Sequence, residues 1–476
     1  MKYNQSQTPL FNALKNFSGS KPISFHVPGH KNGRIFPESG KGYYESLLNM
    51  DVTELTGLDD LHAAEGVISR AQRLAADLFS AESTFFLVGG STAGNLAMIL
   101  AAASHGSKML VQRNSHKSIL NGLELGGVEP VFVAPEYDSN VNRYHAPSLK
   151  TVKEAVSEHP TICAIVLTYP DYFGRTFALK EIIDFAHQKD IAVLVDEAHG
   201  VHFSLSKYFP LSALELGADI VVQSAHKMAP ALTMSSFLHI KSKIIDREDV
   251  AYYLQMMQSS SPSYPLMASL DLARHYLANM PARLVDEIIN SANSLREELA
   301  KEMSWKILEP EQGIDDPLKV TLEVPNGCSG RDVAKLFEAQ NIYPELYTHD
   351  QVLFIHGLAP FQEWRMFKEA MKKISGQLKF LPNHGTIGSV RINQKPVQSL
   401  EITYQQMKKR NKQFLSWQLA EGNIAAQSVV PYPPGIPLIL KGERITGNHI
   451  KVIKYLLKQG TNFQNQQVEQ GIICFI

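Results

Sequence analysis

Between about residue 60 and residue 240 the chain alternates short, nearly continuous apolar runs with stretches of helical periodicity. TFFLV (84–88), KMLVQ (108–112), PVFVA (130–134), AIVLTYP (164–170), IAVLVD (191–196), DIVVQ (219–223) and SFLHI (236–240) read as strands. Unbroken apolar runs suit strands that are buried on both faces. Amphipathic stretches at 94–104, 147–157 and 179–189 lie between them. Strand, helix, strand in repetition requires right-handed crossovers, which predicts a mostly parallel sheet in a three-layer α/β/α domain.

Beyond about residue 285 the pattern changes to a smaller α+β arrangement. Residues 285–303 and 361–377 read as helices, and KVTLEV (319–324) and VLFIHG (352–357) as strands. Residues 380–395 are rich in Gly, Pro and Asn and mark a boundary. A long helical segment is expected over 399–421, followed by the extended run SVVPYPPGIPLIL (428–440), whose four prolines preclude a helix or a central strand. Residues 1–55 are irregular, an arm whose polar groups are best satisfied by lying over something larger. The expected organisation is an N-terminal arm (1–55), a large α/β domain (56–285), a small α+β domain (286–380) and a C-terminal domain (381–476).

Composition excludes several classes of function. A net charge of −1 gives no sign of a polyanion partner such as a nucleic acid, whose binders usually show a concentrated basic face. The three cysteines are odd in number and far apart, which argues against a disulfide framework and a cysteine zinc site; no metal is expected. No stretch reaches the roughly 18–20 apolar residues a membrane span needs, and the N-terminus carries no signal-like apolar region. A cytoplasmic chain is the default expectation.

Four features then make chemical sense together. GGSTAGN (89–95) stands between a strand and a helix, where two glycines allow a tight turn. There the hydroxyls of Ser91 and Thr92 and the free N–H groups of a helix start could converge on an anion. An ordinary helix cap is the alternative. Asp196 emerges at the carboxyl end of the apolar strand IAVLVD, where ligands of open α/β sheets collect. It is either the partner of a cation, such as a pyridine nitrogen, or a helix cap, or a metal ligand paired with His199. Lys227 in SAHKM (224–228) follows the strand DIVVQ, and is either an ordinary solvated lysine or, at a strand end between His and Met, one that faces the same crevice. A lysine in a partly apolar pocket loses basicity and can form an imine with an aldehyde. Ser224 and His226 could add donors to a phosphate. His116 in NSHKS (114–118) could lie over a ring as an aromatic cap and proton carrier, or be a satisfied loop histidine. A phosphate cup, a ring-nitrogen partner and an imine lysine are what pyridoxal 5'-phosphate needs.

HVPGHKNG (26–33), TELTGLDDLH (53–62), GGSTAGNLAMI (89–99), RNSHKSILNGL (113–123), VDEAHGVHF (195–203), QSAHKMAPALTMSSFLHI (223–240), SPSYPLMASLD (261–271) and VVPYPPGIPLIL-KGE (429–443) resemble the prokaryotic ornithine/lysine/arginine decarboxylases. The likeness runs over most of the chain and is to the short form, without an N-terminal receiver-like domain. It implies the aspartate-aminotransferase-like fold (fold type I), a homodimer or higher homo-oligomer, and decarboxylation of a basic amino acid, arginine ahead of lysine or ornithine. It further implies Lys227 as the Schiff-base lysine, Asp196 as the pyridinium partner and His116 stacked on the ring, with Ala198 against its other face. Ser91, Thr92, Ser224 and His226 would hold the phosphate. Ser260 or Ser261, beside Tyr264, would reach the phosphate of a neighbouring subunit, and PYPPGIP with Glu443 would line the substrate entrance. Glu443, Asp171, Glu345 and Tyr264 are the candidates for substrate contact.

Five positions depart from that family's pattern: Gly89, Ala225, Asp171, Arg175 and Lys441. None removes a catalytic group, but Arg175 would repel a cationic substrate if it entered the pocket without pairing with Asp171. Two other readings remain open from sequence. One is a different fold-type-I reaction, an aminotransferase or carbon–sulfur lyase. An aminotransferase calls for a carboxylate-clamping arginine, and Arg331 and Arg365 are the nearest. The other is a cofactor-binding protein without turnover.

Overall fold

The apolar runs form strands within a residue or two of the expected positions. The structure, a computed structural model of the chain, describes residues 2–103, 106–381, 395–431, 436–458 and 460–476. The large sheet consists of β1 (Ser83–Leu87), β2 (Lys108–Gln112), β3 (Glu129–Val133), β4 (Ile162–Thr168), β5 (Ala192–Asp196), β6 (Ile220–Gln223), β7 (Ser236–Ile240) and β8 (Val397–Ser399). Its spatial order is β1-β7-β6-β5-β4-β2-β3-β8. β3, β2, β4, β5 and β6 pair in parallel, while β7 runs antiparallel to both β6 and β1. β1 therefore runs with the parallel set, and six strands end at one edge.

That edge is where the sequence concentrated its polar residues. Thr168 at the end of β4 is in register with Asp196 at the end of β5, and Asp196 with Val222 of β6. The chain leaves β1 through Gly89 and Gly90, whose φ of +73° is a conformation a side chain would strain, into the helix Gly90–Ala103. Val111, Val166, Leu194 and Val222 are fully buried on one face, and Leu110, Ile165, Val193 and Val221 on the other, consistent with a sheet covered on both sides.

A second, four-stranded antiparallel sheet joins Lys306–Leu308, Lys319–Glu323, Gln351–Ile355 and Leu346–Tyr347, with Trp305, Phe337 and Phe354 in its core. Lys412–Ser416, Gly471–Phe475 and Ile424–Ala425 make a third sheet. Among the described residues no helix is long and apolar enough to cross a membrane.

Two expectations fail. The long helix over 399–421 is absent; in its place are a strand end, the short helix Tyr404–Met407, the strand Lys412–Ser416 and the short helix Trp417–Ala420. Thr403 and Gln406 form a reciprocal cap that starts Tyr404–Met407, but 412–416 is captured by a partner strand about sixty residues away. The arm is not irregular either, since Pro9–Gly19 and Glu38–Leu48 are helices. Leu10 and Leu14 are fully buried, and Asp271 accepts the Leu10 and Phe11 N–H groups while also pairing with Arg274. Residues 382–394, inside the expected boundary, and 432–435, inside PYPPGIP, lie outside the described residues.

Candidate active site

Ser91, Gln112, Asn114, His116, Thr168, Asp171, Tyr172, Asp196, Ala198, His199, Lys227 and Ile436 line a cleft at the carboxyl edge of the sheet. Asp196 is 3% exposed, and its Oδ2 accepts a hydrogen bond from Asn95 Nδ2 at 2.9 Å. Its Oδ1 is buried with no protein partner, an acceptor aimed at a donor the chain does not supply. Asn95 also donates to Ser118 Oγ, which contacts His116 Nδ1 at 2.8 Å. One network thus joins the helix after β1, the end of β5 and the loop after β2.

Lys227 sits in the short helix Ala225–Met228 that follows β6. Its Nζ is 3.1 Å from His199 Nε2 and 5.3 Å from the centre of the Tyr172 ring. Burial pulls its pKa below that of an ordinary lysine, against the attraction of Asp196 and Glu345. Burial also lowers His116, with Asp196 pulling upward and Lys227 and Lys117 downward. A weakly basic lysine and a histidine kept neutral are suited to imine chemistry and to proton transfer, respectively.

Ser91 lines the cleft and receives a 2.8 Å hydrogen bond from the buried Ser224 hydroxyl. The Ser91 hydroxyl and the free N–H groups at the start of Gly90–Ala103 can bind a phosphate, with Ser224, buried just before Ala225–Met228 and outside the lining, orienting Ser91. Thr92 is exposed and outside the lining, because one residue along a helix turns the side chain by about 100°. His226 is also outside, its Nδ1 held 3.0 Å from the Ser235 carbonyl. Ser260 and Ser261 are exposed. Tyr264 is not a cleft residue: it is fully buried in the core, with its hydroxyl on the Asp59 carbonyl.

The acidic candidates separate clearly. Asp171 lines the cleft, but its charge is already engaged. Burial would raise its pKa, yet the His145 hydrogen bond, Arg143 and the Arg175 N–H hold it below the ordinary aspartate value. Arg175 itself points away, to Asp138, Glu311 and Asp315, so it does not repel a cation from the pocket. Glu345 is exposed and accepts the Tyr172 hydroxyl at 2.6 Å.

Glu443 does not line the cleft. It is buried, accepts from Arg113 Nη2 at 2.9 Å, from Gln398 and from the Leu440 N–H. Arg113 also donates to the carbonyls of Pro437 and Leu438, so this ion pair fastens the chain that carries Ile436 over the site. Removing one member of such a pair leaves the other charged and buried. Glu443→Ala should lower stability by about 3–5 kcal/mol, read as a shifted urea midpoint, and Glu443→Gln by less.

Sequence reasoning gave no role to Asn95, Tyr172, Arg113 or Lys319. Asn95 had a usable signal, since it lies four residues after Ser91 and so on the same helix face. Lys319 had none: it comes from the second sheet, is 4% exposed, and places Nζ 3.1 Å from His199 Nδ1.

The family described as Orn/Lys/Arg decarboxylase, major domain, matches residues 8–313, and its C-terminal domain matches residues 388–466. The uncharacterized protein YaaO of Bacillus subtilis is 42% identical, covering 98% of both chains. An arginine decarboxylase of the same organism is 36% identical, covering 97% of this chain and 96% of its own. Among solved structures, the constitutive lysine decarboxylase of Escherichia coli superposes with a TM-score of 0.83 at 20% identity, covering 99% of this chain and 82% of that one. A Sphingomonas wittichii serine palmitoyltransferase matches with a TM-score of 0.54 at 16% identity, covering 73% of this chain and 86% of that one, and shares the fold alone. The fold is that of the pyridoxal-phosphate-dependent enzymes of fold type I.

Proposed function

We propose that this chain, which belongs to the Orn/Lys/Arg decarboxylase family, binds pyridoxal 5'-phosphate at Lys227 and removes carbon dioxide from arginine ahead of lysine or ornithine. Decarboxylation of a basic amino acid follows from the family and from near-full-length relatives named arginine decarboxylase. The single observation that carries the cofactor reading is the buried, unpartnered Oδ1 of Asp196 in the same cleft as the Lys227 amine. A protonated ring nitrogen is the kind of donor that oxygen lacks.

In this reading Ser91, oriented by Ser224, and the N-terminus of Gly90–Ala103 hold the phosphate. Asp196, oriented by Asn95, keeps the ring nitrogen protonated, and His116 and Ala198 flank the ring. When bound, the cofactor supplies an electron sink for the pair left at Cα as carbon dioxide departs. Lys227 presents an amine of lowered basicity, and His116 or Lys227 delivers the proton to Cα. Glu345 is the acid left to meet the distal cation of the substrate, because Asp171 is paired with Arg143 and hydrogen-bonded to His145, and Glu443 is sealed against Arg113. Neither arginine that an aminotransferase would need faces the cleft: Arg331 donates to the Gly460 carbonyl and Arg365 pairs with Glu369. The exposed apolar side chains Ile23, Phe25, Val27, Ile35 and Tyr43 support a homodimer, as a surface a second copy would cover.

Carbon dioxide release is the test. The purified chain, loaded with pyridoxal phosphate, should release it fastest from arginine, and more slowly from lysine and ornithine. Release from none of the three would sink the proposal.

A further inference from the structure

His199 brings both ring nitrogens within hydrogen-bond reach of an amine: Nε2 lies 3.1 Å from Lys227 Nζ, and Nδ1 lies 3.1 Å from Lys319 Nζ. A neutral imidazole has one N–H donor and one acceptor nitrogen. It cannot satisfy two ammonium groups, because one of them would direct its protons at the ring N–H. Protonating the ring does not help, since both nitrogens would then be donors. The site opposes that form anyway, with burial first and then Lys227 and Lys319 holding His199 well below its usual pKa. With the ring neutral, the three groups are satisfied together only when at least one lysine is an amine, and the attraction of Asp316, Asp196 and Glu345 favours keeping one proton on the pair.

We propose that Lys319, His199 and Lys227 form a proton relay in which buried Lys319 is the proton reservoir that keeps Lys227 available as a free amine. In one arrangement the Lys319 ammonium donates to Nδ1, and Nε2–H donates to the lone pair of the Lys227 amine. Passing a proton from Lys319 to Nδ1 while Nε2 gives its proton to Lys227 yields the other arrangement, an amine at Lys319 and an ammonium at Lys227. The count of protons and the net charge are the same in both. Lys319 is a positioning residue, acting on Lys227 through the ring.

The surrounding charges oppose one another across the relay. Asp316, itself 3.1 Å from His202, favours charge on Lys319, and Asp196 favours charge on Lys227. Glu345 acts on both lysines, Asp171 on Lys319, and His202 and His226 are the other bases near His199. The ring is fixed in place by Tyr172, whose centroid is 4.3 Å from that of His199. A lysine that must be uncharged to attack an aldehyde has to give up its proton to a nearby base, and Lys319 is the buried base that His199 connects to it. Burial lowers the Lys319 pKa to about 8, against the attraction of Asp316, so it can hold or release a proton near neutral pH.

The inference rests on Lys227 as the cofactor lysine, and its test separates the two ideas. The cofactor-free chain is reductively methylated with formaldehyde and cyanoborohydride over a pH series, and modification of Lys227 is quantified by mass spectrometry. In Lys319→Met the acceptor nitrogen of His199 is free to hold Lys227 as an ammonium. The midpoint of labelling should rise by about one pH unit, a roughly tenfold loss of labelling at neutral pH. Lys319→Arg keeps a permanent cation on Nδ1, so its midpoint should stay at or below that of the unmodified sequence. A Met profile that overlays the unmodified one overturns the relay, and so does a raised midpoint in the Arg variant. If the Met variant fails to fold by circular dichroism, the Arg variant alone decides. The unmodified chain, titrated with pyridoxal phosphate, addresses the other question. Absence of a visible band there would refute Lys227 as the cofactor lysine, while the labelling profiles would still judge the relay.

Discussion

Lys227→Ala will produce a folded chain with no visible absorbance band after incubation with pyridoxal phosphate, and decarboxylation will fall by roughly 10⁴–10⁶-fold, the scale on which removing a covalent nucleophile acts. Folding should survive because the side chain is partly exposed to the cleft, contacts His199 and Tyr172 there, and makes no contact that closes the core. The sheet beneath it is held by fully buried residues such as Val193, Val221 and Leu238. Two measurements check this, an absorbance spectrum and carbon dioxide release from arginine. A variant that kept its band would move the cofactor to another lysine. Loss of the band with decarboxylation intact would refute the cofactor reading altogether.

Asp196→Asn should have the second largest effect, with a different signature. The amide is nearly isosteric and can still meet Asn95 Nδ2 through its oxygen, so the fold and the band should persist. What is lost is the negative charge that keeps the ring nitrogen protonated. Removing one preorganised electrostatic partner typically costs about 10²–10³ in turnover. We expect kcat to fall by that factor, with KM changed little, because the substrate's own contacts lie elsewhere. Unchanged kcat would mean that the free Oδ1 serves some other donor.

The parts of the molecule legible in sequence were those fixed by local pattern. AIVLTYP, IAVLVD and DIVVQ are strands because a run of apolar residues buried on both faces has few other stable arrangements, and the carboxyl ends of the last two pointed to Asp196 and Lys227 without a structure. The segment 399–421 was misread because its apolar positions fit a helix, and only pairing with residues 471–475 makes 412–416 a strand. Contacts of that sequence separation leave no local trace. The same limit explains the acids. Nothing around Glu443 announces Arg113, 330 positions earlier, and nothing around Lys319 announces His199, 120 positions earlier. Tyr264 was assigned by its neighbours Ser260 and Ser261, but the helix Tyr264–Ala278 begins with its first side chain turned into the core.

β8 carries a consequence for synthesis of the chain. It covers the free edge of β3, pairing Val397 with Val133 and Ser399 with Val131. While the ribosome is still adding the residues between β3 and β8, that edge presents unpaired backbone groups flanked by Val131, Phe132 and Val133, a template for adding strands from other chains. The nascent chain must shelter it over more than 260 residues of elongation. Slow translation, or a stop before residue 397, therefore exposes cells to aggregation from an otherwise well-packed sheet, and chaperone demand will follow the time spent before β8 emerges.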